Sequence, residues 1–208
     1  QIGCHYIQFT PIVERLQART DGLSLAPGMQ EEGELTDFSV TPRQWGHFLC
    51  TLFDEWVRSD VGDYFIQLFD ATLANWVGEA PGVCVLAKEC GHAGVMEFNG
   101  DVYSCDHFVY PQYRLGNLRE RTITEMMYSP QQNEFAKMKS QQLPRQCREC
   151  SVLFACHGEC PKNRFVRDAY GQPGLNYLCP GYRQFFTHAA PYMDYMKNEL
   201  LHGRAPAN

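Results

Sequence analysis

The sequence has no apolar run near the ~20 residues of a membrane-crossing helix, so no membrane partner is expected. Nor has it a basic run. Its 18 Lys and Arg are scattered and the net charge is −6, which argues against nucleic acid as a main partner. The chain opens Gln1-Ile2-Gly3-Cys4, without a basic start or an initiator Met. That excludes an export signal at this position and suggests that a longer protein precedes it. Internal repeats and low-complexity tracts are also missing, which sets repeat architectures aside. What remains is an ordinary globular composition, 44% hydrophobic and 13% aromatic over 208 residues, enough for one large domain or two small ones.

Cysteine, by contrast, is abundant, with ten residues. Without an export signal these point to a reducing, cytoplasmic setting and to metal ligation before disulfides. The stretch CRECSVLFACHGEC places Cys147, Cys150, Cys156 and Cys160 close together, and Cys84, Cys90, Cys105 and Cys179 lie around it. Eight cysteines are enough for two tetrathiolate centres, whereas Cys4 and Cys50 lie apart. Three readings compete. Zinc prefers compact sites built from C-x-x-C knuckles, and only Cys147–Cys150 is one. A [4Fe–4S] cube is a larger object and tolerates looser spacing. Disulfides need an oxidising compartment. Spacing ranks iron–sulfur first, zinc second and disulfides last.

Tyr6–Phe9 (YIQF) has the pattern of a short buried strand, and Glu14–Ser39 that of a polar loop with turns at Asp21-Gly22 and Pro27-Gly28. Thr41, Pro42 and Gln44 form a capping box with proline at the first helical position. The helix that follows, to about Asp60, carries one apolar stripe through Trp45, Phe48, Leu49, Leu52, Phe53 and Trp56. Tyr64–Phe69 is expected as a strand and Asp70–Gly78 as a short helix, giving a βαβ pattern in the first ~80 residues. Val95–Phe98 and Asp101–Ser104 flank Asn99-Gly100 as a hairpin with a two-residue turn. Leu115–Arg119 is expected as a connector. Thr122 and Glu125 make a second capping box, Ser129-Pro130 opens a helix to about Lys139, and a short helix starts at Pro161. A final helix runs from Cys179-Pro180 through a bend at Pro191 to about Gly203.

The eight-cysteine pattern resembles the SPASM domain of radical S-adenosylmethionine (SAM) enzymes. More closely, FDATLANWVG (69–78), CGHAGVMEFNGDVYSCDH (90–107), LGNL (115–118) and CHGECPKNRF (156–165) resemble the anaerobic sulfatase-maturating enzymes. The resemblance covers nearly the whole chain. It implies an α/β remnant of a partial (β/α)6 radical SAM barrel over 1–80 and an irregular α+β SPASM domain over 81–190. That domain would carry a β-hairpin and two Fe–S clusters, and a C-terminal helix and tail would follow over 191–208. It further implies that Cys84, Cys90, Cys105 and Cys160 hold one [4Fe–4S] cluster and that Cys147, Cys150, Cys156 and Cys179 hold the other. Gly158, between two ligands, would let backbone N–H groups approach a sulfur.

The family oxidises a Cys or Ser of an unfolded sulfatase peptide, within a Cys/Ser-x-Pro/Ala-x-Arg motif, to Cα-formylglycine. The resemblance makes Asp106 the base and the clusters the electron acceptors, with a flavodoxin- or ferredoxin-type electron-transfer protein as partner. SAM and a third [4Fe–4S] cluster belong to the full-length enzyme. The C-x-x-x-C-x-x-C motif that holds that third cluster does not occur here. The chain is therefore expected to be a C-terminal portion, unable alone to generate the radical. Gln8, on the first strand, is a candidate for the SAM side. His92, His107 and His157 flank ligands and are expected as hydrogen-bonding neighbours or surface residues. Cys50, Trp45, Trp56 and Trp76 are expected in the core. Phe98, Tyr103, Phe108, Tyr110 and Tyr113 would pack over the clusters or line a peptide groove. Two alternatives stand beside this reading: the SPASM region of another peptide-modifying radical SAM enzyme, and a two-zinc structural binding module.

Overall fold

The structure is a computed structural model that describes residues 3–16 and 34–207. The turns expected at Asp21-Gly22 and Pro27-Gly28 lie outside the described residues. The chain is mixed α/β, with two small sheets and a helical core. Strand β1 (Tyr6–Ile7) pairs in parallel with β2 (Phe65–Ile66), and helix α1 (Pro42–Ser59) connects them. The strands are shorter than their apolar runs suggest. The run expected as strand to Phe69 turns at Gln67 into α2 (Gln67–Val77), because Phe69, Ala71, Thr72 and Trp76 can then be buried on one helical face. The loop flanks at 14–16 and 34–36 pair with each other through Leu16 N–H to Glu34 O at 2.7 Å and Thr36 N–H to Glu14 O at 2.9 Å.

The capping box that opens α1 is complete. Gln44 N–H donates to Thr41 Oγ1, and Thr41 N–H donates to Gln44 Oε1 at 2.9 Å. The apolar stripe then packs on α7 (Cys179–Leu201), which runs unbroken through Pro191. Phe53, Trp56, Phe69, Phe185 and Phe186 form an aromatic core with ring centroids 5.2–5.8 Å apart. Trp45, Trp76 and Cys50 are buried with them. Two glycines let the helices approach this closely. A Cβ on Gly181 would stand 2.3 Å from Pro42 O, and one on Gly46 would stand 2.8 Å from Gly181 Cα.

The second sheet is three-stranded and antiparallel, in the order β3 (Val95–Met96), β4 (Asp101–Tyr103), β5 (Arg114–Asn117). Two expectations change here. The hairpin loop has three residues, not two: Glu97 N–H donates to Asp101 O, Gly100 N–H donates back to Glu97 O, and Gly100 takes φ +88°. This is the longer loop in which a left-handed glycine re-enters the ladder. The stretch expected as a connector forms β5, because Asp101 draws it in through Arg114 Nη2 at 2.5 Å and Asn117 Nδ2 at 2.9 Å. The second capping box starts α3 (Ile123–Met127), and Ser129-Pro130 starts α4 (Pro130–Gln141). In the cysteine run lie two single-turn helices, α5 (Arg145–Arg148) and α6 (Leu153–Cys156). The short helix expected at Pro161 is a 3-10 turn, Pro161–Asn163.

Candidate metal centres

The eight clustered cysteines separate into two cavities. One, of about 390 Å³, is lined by Cys84, Cys90, Cys105 and Cys160, with Asp106 and Gln8 also at its wall. The other, of about 490 Å³, is lined by Cys147, Cys150, Cys156 and Cys179. All eight are free thiols. The first set is collected from far apart: Cys84 from a 3-10 turn after α2, Cys90 from the loop before the hairpin, Cys105 from the end of β4, and Cys160 from beyond α6. The second is local, drawn from α5, the turn after it, the end of α6 and the first residue of α7.

The links that bring these segments together are polar side chains. Asn75 Nδ2, on α2, donates to Leu86 O and to Ala155 O, both at 2.9 Å, tying the Cys84 turn to α6. Lys139 Nζ, fully buried at the end of α4, donates to Cys84 O and Val85 O. Asp168 holds the Cys147 turn, accepting from Gln146 N–H at 3.1 Å. Between Cys156 and Cys160, His157, Gly158 and Glu159 all take left-handed φ, at +48°, +72° and +53°. A Cβ on Gly158 would collide with Leu143 Cδ2 at 2.4 Å and Arg164 Nη2 at 2.7 Å.

Burial pushes the Cys105 thiol up to about 12 and the Cys147 thiol up to about 11. It raises Cys90, Cys156, Cys160 and Cys179 as well. Thiols so placed keep their protons unless a cation displaces them, and a metal ligand must be deprotonated. Each cavity thus offers four thiols that can serve as ligands once deprotonated. Around one zinc ion the four sulfurs would stand about 3.8 Å apart, given a Zn–S bond of about 2.3 Å. Among the described residues, the one trio of metal-binding side chains that closes within 4.8 Å is Cys105, Asp106 and His107, and no three sulfurs of either set do so. Four thiols around one cavity match the ligand count of a tetrathiolate centre.

Asp106 Oδ1 accepts from Cys105 Sγ at 3.2 Å, and that bond holds its carboxyl below the ordinary aspartate value. His107 Nδ1 lies 3.7 Å from Cys160 Sγ. His92 instead stacks edge-on with Tyr128, and His157 caps α6. Of the five hairpin aromatics, Phe108 lines the first cavity and packs with Tyr113 and Phe135. Phe98 is fully exposed at the hairpin tip, away from it.

Residues 90–151 match the SPASM model, described as an iron–sulfur cluster-binding domain. The chain is 66% identical over 211 residues to a serine-type anaerobic sulfatase-maturating enzyme of Bacteroides thetaiotaomicron, covering all of this chain and 50% of that protein. The chain belongs to the anaerobic sulfatase-maturating enzyme family. A serine-type relative from Klebsiella pneumoniae is 32% identical over 187 residues, covering 89% of this chain and 42% of its own length. A cysteine-type relative from Clostridium perfringens is 29% identical over 178 residues, covering 85% and 47%. The chain thus spans about half the length of the curated relatives it matches. Among solved structures, native anSMEcpe with bound AdoMet and Cp18Cys peptide superposes with a TM-score of 0.70 at 29% identity, over 83% of this chain and 48% of that one. No helix among the described residues is long and apolar enough to cross a membrane.

Sequence reasoning passed over Asn75, Lys139 and Arg164. Asn75 and Arg164 sit inside quoted motifs, FDATLANWVG and CHGECPKNRF, but nothing in a single sequence distinguishes a buried polar staple from a surface residue. Lys139 ends an ordinary-looking helix, and its burial follows only from the fold.

Proposed function

We propose that the two cavities hold two [4Fe–4S] clusters, one on Cys84, Cys90, Cys105 and Cys160 and the other on Cys147, Cys150, Cys156 and Cys179. On this reading the region serves a radical SAM enzyme that oxidises a sulfatase side chain to Cα-formylglycine. The observation that carries it is the sorting of eight sulfurs, four and four, into separate cavities, four thiolates being the ligand count of a [4Fe–4S] cube. The 66% identity to a serine-type relative, against 29% for a cysteine-type one, favours serine as the target. The same identity weighs against a SPASM enzyme of different substrate.

In the reaction, the serine Cβ gives up a hydrogen atom, its hydroxyl proton passes to Asp106, and one further electron leaves the substrate, so two hydrogens and two electrons are removed and C=O forms. When bound, SAM and a third cluster would supply the radical for the hydrogen atom, and clusters held by the eight cysteines here would supply an acceptor for the electron. Asp106 is suited to the proton transfer because it shares the cavity wall with Cys105 and Cys160. Gln8, on the same wall, would be the residue on the SAM side. The peptide would carry the Cys/Ser-x-Pro/Ala-x-Arg motif, and a flavodoxin- or ferredoxin-type protein would exchange electrons. In this division, 1–80 is the end of a partial barrel, 81–190 the cluster domain and 191–208 the closing helix and tail, in a cytoplasmic enzyme. Iron and sulfide measured without oxygen test the reading. About eight of each per chain, with broad absorption near ~400 nm, are expected; colourless protein carrying two zinc ions would replace it with the structural-zinc alternative.

A further inference from the structure

Arg164 is 4% exposed and spends its guanidinium on backbone carbonyls alone. Nε donates to Gly158 O at 2.9 Å, Nη2 to His157 O at 2.9 Å and to Glu159 O at 3.0 Å, and Nη1 to Lys139 O at 2.6 Å. It thus grips every residue of the left-handed segment that runs from Cys156 in one cavity to Cys160 in the other. No carboxylate bonds it directly. The nearby Glu159 side chain is itself buried and bonded to Asn176 Nδ2. An arginine keeps its charge when buried, so a permanent cation lies between the two cavities.

Carbonyl oxygens solvate that cation without cancelling it, and in a low-dielectric interior its field extends to both sides. Three of the carbonyls it binds, on His157, Gly158 and Glu159, span the whole link from Cys156 in one cavity to Cys160 in the other. Lys139, a second buried cation, instead donates to Cys84 O and Val85 O in the wall of the first cavity. Resting on the two-cluster reading above, we propose that Arg164 is a shared positioning and tuning residue. Its charge raises the reduction potential of both clusters together, while Lys139 raises that of the Cys84/Cys90/Cys105/Cys160 cluster alone. A thiolate-bound cluster carries net negative charge and gains more on reduction, so a neighbouring cation stabilises the reduced form.

The test is an EPR-monitored redox titration of both clusters in the full-length enzyme, purified without oxygen, with iron counted in the same samples. Arg164→Gln is expected to lower both midpoint potentials by at least a tenfold change in the reduction equilibrium, which is 59 mV for one electron. Arg164→Lys keeps the charge and should leave both near wild type. Lys139→Gln should lower one potential only. An Arg164→Gln enzyme that keeps the wild-type iron content with either potential unmoved overturns the proposal, and so does Lys139→Gln moving both equally. If Arg164→Gln alone loses iron, Arg164→Lys decides: unmoved potentials sustain the proposal and displaced ones overturn it. Loss of iron from both Arg164 variants would leave a purely structural staple. Fewer than about twelve irons in the wild-type full-length protein, eight for the two clusters here and four for the third, would count against the two-cluster reading itself.

Discussion

Cys156 and Cys160 are four positions apart in the chain and open into different cavities. A single motif, CHGEC, therefore borders both cavities, and on the proposed reading its cysteines are not interchangeable. Cys160→Ala in the full-length enzyme is expected to remove about four irons and leave the centre at Cys147, Cys150, Cys156 and Cys179 loaded. Cys147→Ala should do the reverse. The check is iron content with EPR of the two surviving clusters; the same signal lost in both variants would dissolve the partition.

Asp106→Asn should abolish formylglycine while SAM cleavage continues, because the hydrogen abstraction does not need the carboxylate and the proton transfer does. General-base removal costs about 10²–10⁴-fold. Mass spectrometry of the peptide and chromatography of 5′-deoxyadenosine, run on one sample, separate the two events. Normal peptide turnover would assign the base elsewhere.

Asp70, in the first turn of α2, has its pKa pushed up to about 6 by burial. The sign follows from which form folding prefers. The protonated carboxyl is favoured, so there is no penalty below the unfolded value near 3.8, and the penalty grows as pH rises through 6. The full shift corresponds to roughly 3 kcal/mol, and partial solvent contact reduces that to about 1–2 kcal/mol. Asp70→Asn should therefore stabilise the protein at pH 8 and leave it unchanged at pH 4 in urea titrations. Equal effects at both pH values would show that charge is not the cause.

Gly181→Ala puts a methyl against Pro42 O and the Gly46 backbone, where neither neighbour is a flexible side chain that can give way. A cost of about 1–3 kcal/mol is expected, seen as a lower midpoint in the same titrations. A neutral result would mean that α1 and α7 slide apart freely.

The elements legible in the sequence are those whose signals are local. Thr41-Pro42 with Gln44, Thr122 with Glu125, and Ser129-Pro130 each start a helix where the caps say they should. The errors arise where a distant partner decides. Gln67–Phe69 has strand-like composition, but Phe69 is needed against Phe53 and Phe185, which a helix achieves. β5 exists because Asp101 reaches Arg114 and Asn117, a pairing that no spacing rule announces. For the site, the family resemblance supplied the four-and-four grouping, since spacing alone would have kept the Cys147–Cys160 run together. The groups that grip the cavities, Asn75, Lys139 and Arg164, are single polar residues whose role comes from what they touch.

The unequal reach of the two cysteine sets carries a kinetic consequence. One set lies within a single short span of chain, 147–179, whereas the other must wait for the 84–105 hairpin region to return to Cys160. Closing the longer loop adds only about 0.6 kcal/mol per doubling of its length, but long-range contacts form later than local ones. Assembly should thus be ordered, with the local cage loaded first and its Cys156 neighbour, the left-handed segment, presenting Cys160 as a ready anchor for the second. Cells supplying limited iron would accumulate a half-filled protein of one kind rather than a mixture.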